Sequence, residues 1–469
     1  MSETVSSPPA GAAVTLLCGG DVVTMDPERR VLVGGTVAMA GDRILAVGST
    51  GRLRADHPEA TVVDVTGCVV TPGMINAHQH LTGGPLIRSC IPDLLTSGES
   101  IFDWSVPIHD AHRPEDDQCS AMLAAAEGLL NGVTTVVEAG TVADAGRVAA
   151  GLELVGQRAT MGVWGWDIEE GPFAAPAAEV LERQRAVLDL LPAGGLVEGW
   201  VTLVGHDLAS DELLVGAAEL ARDRGAGMTM HLSPTSSDPE RYLERTGKRP
   251  AVHLDDLGVL GPHLLIGHGV WLDDEEIDRI LATDTAIAYC PWAYLRLGQG
   301  VCGHGRHAEI VDRGGRVGLG CDAPNAGDSI DILRTAALAA GIARDVAVDP
   351  LGFGAHQAFE LATIGGADAI GMADRVGSLE PGKQADIVVH RTDTPGWTPR
   401  GDVGLQLVWG TDGRSVRDVY VAGRQVVADG AMLTVDIDAL ATEATERQRA
   451  LLARAGIEPR SLWPLIDGR

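Results

Sequence analysis

With 469 residues, 45% of them hydrophobic and 22% charged, the chain is too long for one ordinary core and has the composition of a soluble globular protein. Its formal net charge of −29 argues against nucleic acid as a partner, because a broadly acidic surface repels phosphate. Seven cysteines, an odd number with no CxxC pair, argue against a disulfide framework and against a thiolate zinc site.

The first residues carry no basic leader, and no apolar run reaches the 18 residues of a membrane span. A cytoplasmic location with no membrane partner is therefore expected. Residues 1–12 are expected to be disordered. Short β-type runs at 14–18, 22–25, 30–33, 36–39 and 43–47, broken by Gly19-Gly20, Asp26-Pro27 and Gly41-Asp42, assign 13–70 to the first part of a small sheet domain. From 71 to 374 the pattern changes. Apolar strand-like runs ending at His78 and lying at 134–137, 159–164, 201–204, 227–230, 264–266, 286–289 and 317–319 alternate with helical segments such as 114–130, 176–191, 210–224 and 273–282. Eight β-then-α units in about 300 residues predict a closed (β/α)8 barrel. β-type runs return at 385–389, 405–409, 416–421 and 424–427, so 375–435 is expected to complete the sheet domain that the barrel interrupts. Residues 436–469 read as a C-terminal helix and tail.

The barrel opens on Thr71-Pro-Gly-Met-Ile-Asn-Ala-His-Gln-His80. Residues i and i+2 of a strand face the same side, so His78 and His80 can converge on one point. One HxH is commonly just a pair of hydrogen-bonded or solvated imidazoles. Here polar residues recur at successive strand ends: Glu138 on the second, Trp164, Trp166 and Asp167 on the third, His206, His231 and His268 on the fourth to sixth, Tyr289-Cys-Pro-Trp292 on the seventh and Asp322 on the eighth. The carboxyl ends of barrel strands are where such folds place chemistry. Neutral imidazoles with a carboxylate suit zinc or a similar borderline ion. Such an ion lowers the pKa of a water, a carboxylate moves that water's proton, and a further histidine stabilises developing charge.

Pro72-Gly-Met-Ile-Asn-Ala-His-Gln-His80, Asn131-Gly-Val-Thr-Thr135, Gly267-His268-Gly269, Cys290-Pro291, Gly318-Leu-Gly-Cys-Asp322 and Gly377-Ser-Leu-Glu-Pro-Gly-Lys-Gln-Ala-Asp386 together resemble the signatures of the amidohydrolase superfamily. The branch resembled is that of the cytosine, guanine and adenosine-type deaminases and the triazine (chloro)hydrolases. The resemblance spans residues 14–435 and implies an α/β fold, a (β/α)8 TIM barrel with a small β-sandwich made from both chain ends. It implies His78, His80, His231 and Asp322 as ligands of one divalent metal, zinc or else iron or manganese. It further implies Asp322 as proton shuttle and His268 as the second catalytic residue. Val201 to His206 holds neither the lysine nor the glutamate that bridges a second ion in two-metal relatives; the two lysines are Lys248 and Lys383. Homodimers are common among such relatives.

One position departs from the pattern. Deaminases of this branch read His-x-x-Glu at the fifth strand, where this chain reads His231-Leu-Ser-Pro234. The nearest carboxylates that can substitute are Asp238 and Glu240. Substrate contacts are expected from His206, His109, Trp104, Trp164, Trp166, Trp292 and Tyr294, whose clustering in an aromatic-poor chain suits a flat ligand. Asp167, Glu169 and Glu170 can meet a cationic amine or form a solvated loop edge. The expected enzyme is a mononuclear metal-dependent hydrolase of non-peptide carbon–nitrogen bonds, deaminating a small nitrogen heterocycle or amidine-like compound. Its alternatives are amide or cyclic-amide hydrolysis, triazine-type dechlorination, and a barrel that has lost catalysis and serves as a binding scaffold.

Overall fold

The computed structural model describes residues 12–96, 98–168, 170–459 and 461–467. The disorder expected for 1–12 therefore falls, except for Ala12, outside the described residues, as does Glu169.

The chain begins with β1 (Val14–Val23), β2 (Val31–Ala40), β3 (Arg43–Ser49), β4 (Thr61–Asp64) and β5 (Val69–Pro72). Barrel strands follow: β6 (Met74–Gln79), β7 (Val133–Glu138), β8 (Arg158–Met161), β9 (Val197–Gly199), β10 (Val201–Gly205), β11 (Met228–Leu232), β12 (Leu264–His268), β13 (Ala286–Tyr289) and β14 (Val317–Leu319). The chain returns through β15 (Ile387–His390), β16 (Val416–Val421), β17 (Arg424–Ala428) and β18 (Ala431–Met432).

Strands β6 to β9 form one parallel sheet and β10 to β14 another. β9 and β10 are two pieces of one barrel strand. Between them the Trp200 amide bonds back to Met161 at 2.8 Å, while the Val201 amide bonds onward to Gly227 at 3.0 Å. At the other seam the Asp322 amide donates to the His78 carbonyl at 2.9 Å, joining the eighth strand position to the first. These strands are buried on both faces, as a parallel barrel wrapped in helices requires. The helices end where local chemistry directs. Ser210 caps Asp211–Arg224 through the Leu213 amide, and Gly225 closes it in the left-handed conformation.

The nine remaining strands make a mixed sheet ordered β18-β17-β16-β15-β5-β1-β2-β3, with β4 also on β1. Its two halves meet where β15 pairs antiparallel with β5, Ile387 opposite Pro72 and His390 opposite Val69. Leu17, Val37, Ile44, Val70, Ile387 and Tyr420 fill its core, giving the β-sandwich built from both chain ends. One strand expectation needs correction. Residues 405–409 are helical, within Val403–Leu405 and Gln406–Gly410. The buried residues are Gly404, Leu407 and Val408, a three-to-four spacing, and the Asp402 side chain caps the Leu405 amide.

A buried ion pair locks the sandwich to the barrel. Arg158 at the start of β8 donates through Nε to Asp386 Oδ2 at 2.9 Å and through Nη2 to Oδ1 at 3.0 Å. Asp386 Oδ1 also accepts from the Ala422 amide at 2.7 Å. The C-terminal helix Ile437–Ala455 lies against Pro114–Leu130, where Arg447 and Arg454 both pair with buried Asp116.

Removing one partner of a desolvated pair leaves an uncompensated charge. Asp386→Ala is expected to cost about 3–5 kcal/mol in urea unfolding, and the Arg158→Leu/Asp386→Leu double variant distinctly less. Equal losses would show that the pair itself contributes little. His390 is fully buried between Thr71 and Ser415, and burial pushes its pKa down to about 4. The unfolded chain takes up this proton near pH 6.5 and the folded chain only near 4. The stabilisation is full above 6.5 and declines as pH falls through that window, by on the order of 2–3 kcal/mol. Unfolding titrations of His390→Asn are expected to show a correspondingly shallower acid slope than the unaltered chain.

Candidate metal centre

Strand β6 places His78 inside the barrel, fully buried, and His80 just past the strand end, where it keeps slight exposure. The ring of His78 lies 5.3 Å from that of His80, 4.9 Å from His231 and 4.9 Å from His268. Two glycines make this crowding possible. A Cβ on Gly267 would sit 2.8 Å from His78 Cε1, and one on Gly320 would sit 2.7 Å from Cys290 Sγ and 2.8 Å from His78 Cβ.

The donor atoms converge. His80 Nε2 is 3.2 Å from His231 Nε2 and 3.4 Å from Asp322 Oδ1, and His78 Nε2 is 3.8 Å from the same oxygen. Four ligands held tetrahedrally at zinc–nitrogen distances stand about 3.3 Å apart. The His231 Nδ1–H donates to the Val204 carbonyl, which leaves Nε2 of the neutral ring a bare lone pair facing His80. Neither ring nitrogen of His78 has a partner, nor does His80 Nδ1. Buried polar atoms are normally paired, so this clustering of orphans marks a place for a cation. Burial and mutual repulsion hold the pKa of His78 and of His80 well below the ordinary histidine value, and burial lowers that of His231. These rings are neutral and able to ligate. The residues present fit a single divalent metal ion.

Asp322 sits in the left-handed region at φ +62, its Oδ1 accepting from the Ala323 amide at 2.6 Å. Burial raises its pKa to about 6. His268 has φ +83 and its ring lies 5.1 Å from that of His231. Strain of this kind persists where surroundings over-determine it, and here both residues border the same cluster. Two neighbours escaped the sequence reading as site residues. Cys290 offers Sγ within 4.8 Å of donor atoms of His78, His268 and Asp322, with burial keeping its thiol protonated. Asn76 Oδ1 accepts from the Cys321 amide at 3.1 Å and the His78 amide at 3.3 Å, tying β6 to the residues after β14. Its place within Pro72–His80 was its signal in the sequence.

The other expected contacts divide. His206 Nδ1–H donates to the His231 carbonyl at 3.1 Å, and its buried Nε2 has no partner. His109 lies between the Ser105 and Thr82 carbonyls, its ring 4.9 Å from Trp164. Trp164 stacks on Phe173 at 4.7 Å, with Trp166 alongside at 5.9 Å. Trp104 is half-buried, and half-buried Trp292 lies under the Arg334 guanidinium. Tyr294 is buried, and its hydroxyl accepts from the Cys290 amide at 2.9 Å, behind His268. Asp167 is engaged by the Ser210 amide and hydroxyl. Of the two carboxylates expected to substitute near Pro234, one is engaged and the other faces solvent. Asp238 accepts from Thr235 and pairs with Arg241, and Glu240 is exposed.

An eight-stranded barrel with imidazoles and a carboxylate converging at its strand ends defines a metal-dependent hydrolase. The chain belongs to the amidohydrolase family, whose profile matches residues 69–426. A 5-methylthioadenosine/S-adenosylhomocysteine deaminase of Syntrophobacter fumaroxidans is 30% identical over 92% of this chain and 96% of its own length. A 5'-deoxyadenosine deaminase of Methanosarcina acetivorans is 29% identical over 92% and 97%. Among solved structures, a zinc-bound adenosine deaminase of Xanthomonas campestris superposes with a TM-score of 0.89 at 26% identity, covering 94% of this chain and 99% of that one. No helix of the described residues is long and apolar enough to cross a membrane.

Gly267→Ala must displace His78, so it is expected to weaken metal binding about 10–100-fold in a chelator competition while far-UV circular dichroism stays unchanged. Unaltered affinity would show that His78 is not held by this contact.

Proposed function

We propose that the protein is a mononuclear zinc-dependent deaminase of an adenosine-type nucleoside, with His78, His80, His231 and Asp322 as the ligands. The observation that carries this reading is the convergence of three neutral imidazoles and one carboxylate at the spacing of one ion's ligands. The kinship with adenosine-type deaminases over nine-tenths of the chain supports the substrate class.

When bound, the ion supplies a water of lowered pKa at neutral pH. Asp322 receives the proton of the attacking water and returns it to the departing amine. Its Oδ1 lies 3.4 Å from His80 Nε2, within reach of a water held at the cluster. His268, held by its backbone beside the cluster, stabilises charge developing at the attacked carbon's substituent. His206 Nε2 is an acceptor for a substrate N–H, since its other nitrogen is committed to the His231 carbonyl. His109 and Trp164, packed edge to face at 4.9 Å, offer aromatic surface for a flat base.

A second reading has an observation of its own. The fifth-strand position that carries a glutamate in deaminases carries Pro234, and Asp238 is already engaged by Thr235 and Arg241. Amide or halide hydrolysis needs no protonation of a ring nitrogen at that point.

The test pairs metal analysis with an ammonia-release panel of adenosine, 5'-deoxyadenosine, 5'-methylthioadenosine, S-adenosylhomocysteine, guanine, cytosine and aminotriazines. About one zinc per chain with ammonia from the 5'-modified adenosines is expected. Asp322→Asn should lower kcat by about 10²–10⁴-fold. One metal per chain with no ammonia from any compound would transfer the assignment to the second reading.

A further inference from the structure

The His268 ring owes its place to an uncommon stretch of backbone. His268 has φ +83, and Gly269 after it has φ +61. A residue with a Cβ stays in this region only where its neighbours hold it there. The peptide unit between these two residues is held at both ends. Its N–H, that of Gly269, donates to the Leu232 carbonyl on β11 at 2.9 Å. Its C=O, that of His268, lies 2.7 Å from His307 Nε2.

His307 opens the helix His307–Asp312, 39 residues along the chain from His268, and is buried. A carbonyl only accepts, so Nε2 carries the ring hydrogen. Burial lowers the His307 pKa to about 4, so the ring is neutral around neutral pH and this hydrogen is its single donor. Two contacts fix the donor in turn. Tyr289 at the end of β13 stacks on the ring at 4.0 Å. Arg306, just before the helix, grips Glu309 through Nε and Nη2, each at 2.6 Å. The Tyr294 hydroxyl is also near the His268 carbonyl, but at 3.5 Å, and the Ala288 carbonyl lies as close to it at 3.4 Å. His307 is therefore the close donor. The ring of His268 so held lies 4.9 Å from that of His78 and 5.1 Å from that of His231. His307 itself belongs to neither group of converging donor atoms.

We propose that His307 is a positioning residue for His268: its Nε2–H fixes the His268 carbonyl and so keeps the strained backbone that sets the His268 ring beside the cluster. This deepens the hydrolase reading above and rests on His268 taking part in it.

His307→Gln and His307→Met are close in size and differ in the donor, which glutamine Nε2 supplies and methionine lacks. With the nucleoside that the panel shows to be turned over, His307→Met is expected to lower kcat by about 10–100-fold with KM and zinc content little changed, and His307→Gln to regain most of the loss. In a His268→Ala background, His307→Met is expected to cost nothing further, because the two residues act as one unit. Crystal structures of the two variants read the geometry without turnover. His268 is expected to leave its positive φ in His307→Met and to keep it in His307→Gln. If His307→Met does not fold, His307→Phe, which keeps a ring on Tyr289 and lacks the donor, takes its place. An unmoved His268 in the variant without the donor would overturn the proposal. So would equal losses of kcat in both variants, or a full additional loss in the His268→Ala background. If no compound of the panel releases ammonia, the deaminase reading falls, and the crystal structures alone decide whether His307 holds His268.

Discussion

Everything at the metal centre depends on how the barrel closes. The eighth strand position meets the first through the Asp322 amide on the His78 carbonyl and the Cys321 amide on Asn76 Oδ1. The same two bonds that seal the barrel therefore set the separation between a histidine ligand and the carboxylate. A change in strand register here would move fold and site together. Gly320 belongs to this constraint, because any side chain there would meet His78 and Cys290. The sandwich contributes from outside. β5 runs into β6 with only Gly73 between them, and the Gly73 amide donates to the Asp386 carbonyl at 2.9 Å while the Asp386 side chain holds Arg158 on β8. The small domain thus holds the strand that leads into His78 and His80.

Burial gives the site its chemistry and also its cost. Histidines packed this closely cannot all be protonated, and desolvation keeps them neutral. Neutral imidazoles with unpartnered nitrogens are poor core residues but good ligands. The apo cluster is frustrated, and a cation relieves it by accepting the lone pairs that the chain leaves unpaired. The positive φ angles of His268 and Asp322 fit this view, since both residues hold geometries that serve the centre and not the local backbone.

Much of this was legible in the chain because the relevant signals are periodic or local. Alternating apolar runs and helical faces marked the barrel, and histidines falling at successive strand ends marked its active face. The signal failed where tertiary packing set the outcome. Residues 405–409 carry β-type side chains, yet Asp402 caps them into a helical turn that buries Leu407 and Val408. The break at Trp200, which divides one barrel strand into two, left no local mark. Asn76 and Cys290 lie in recognisable motifs, but their roles depend on barrel closure, which brings Asn76 to the Cys321 amide and sets Cys290 among His78, His268 and Asp322. Tyr294 read as a pocket-mouth aromatic, but its hydroxyl is drawn inward to the Cys290 amide.

The loop after β11 shows what the loss of a glutamate does to a site. Ser233 takes a positive φ, and its carbonyl receives the Val270 and Trp271 amides at 3.2 Å, which ties the segment after β11 to the segment after β12. Pro234 follows with its φ fixed by the ring, and Asp238 is consumed in capping the segment beyond it. His206 Nε2, held from the His231 carbonyl on the adjoining strand, is buried without a partner. In the deaminase reading proposed above, orientation of the base falls to this nitrogen at the end of the fourth strand and not to a carboxylate after the fifth.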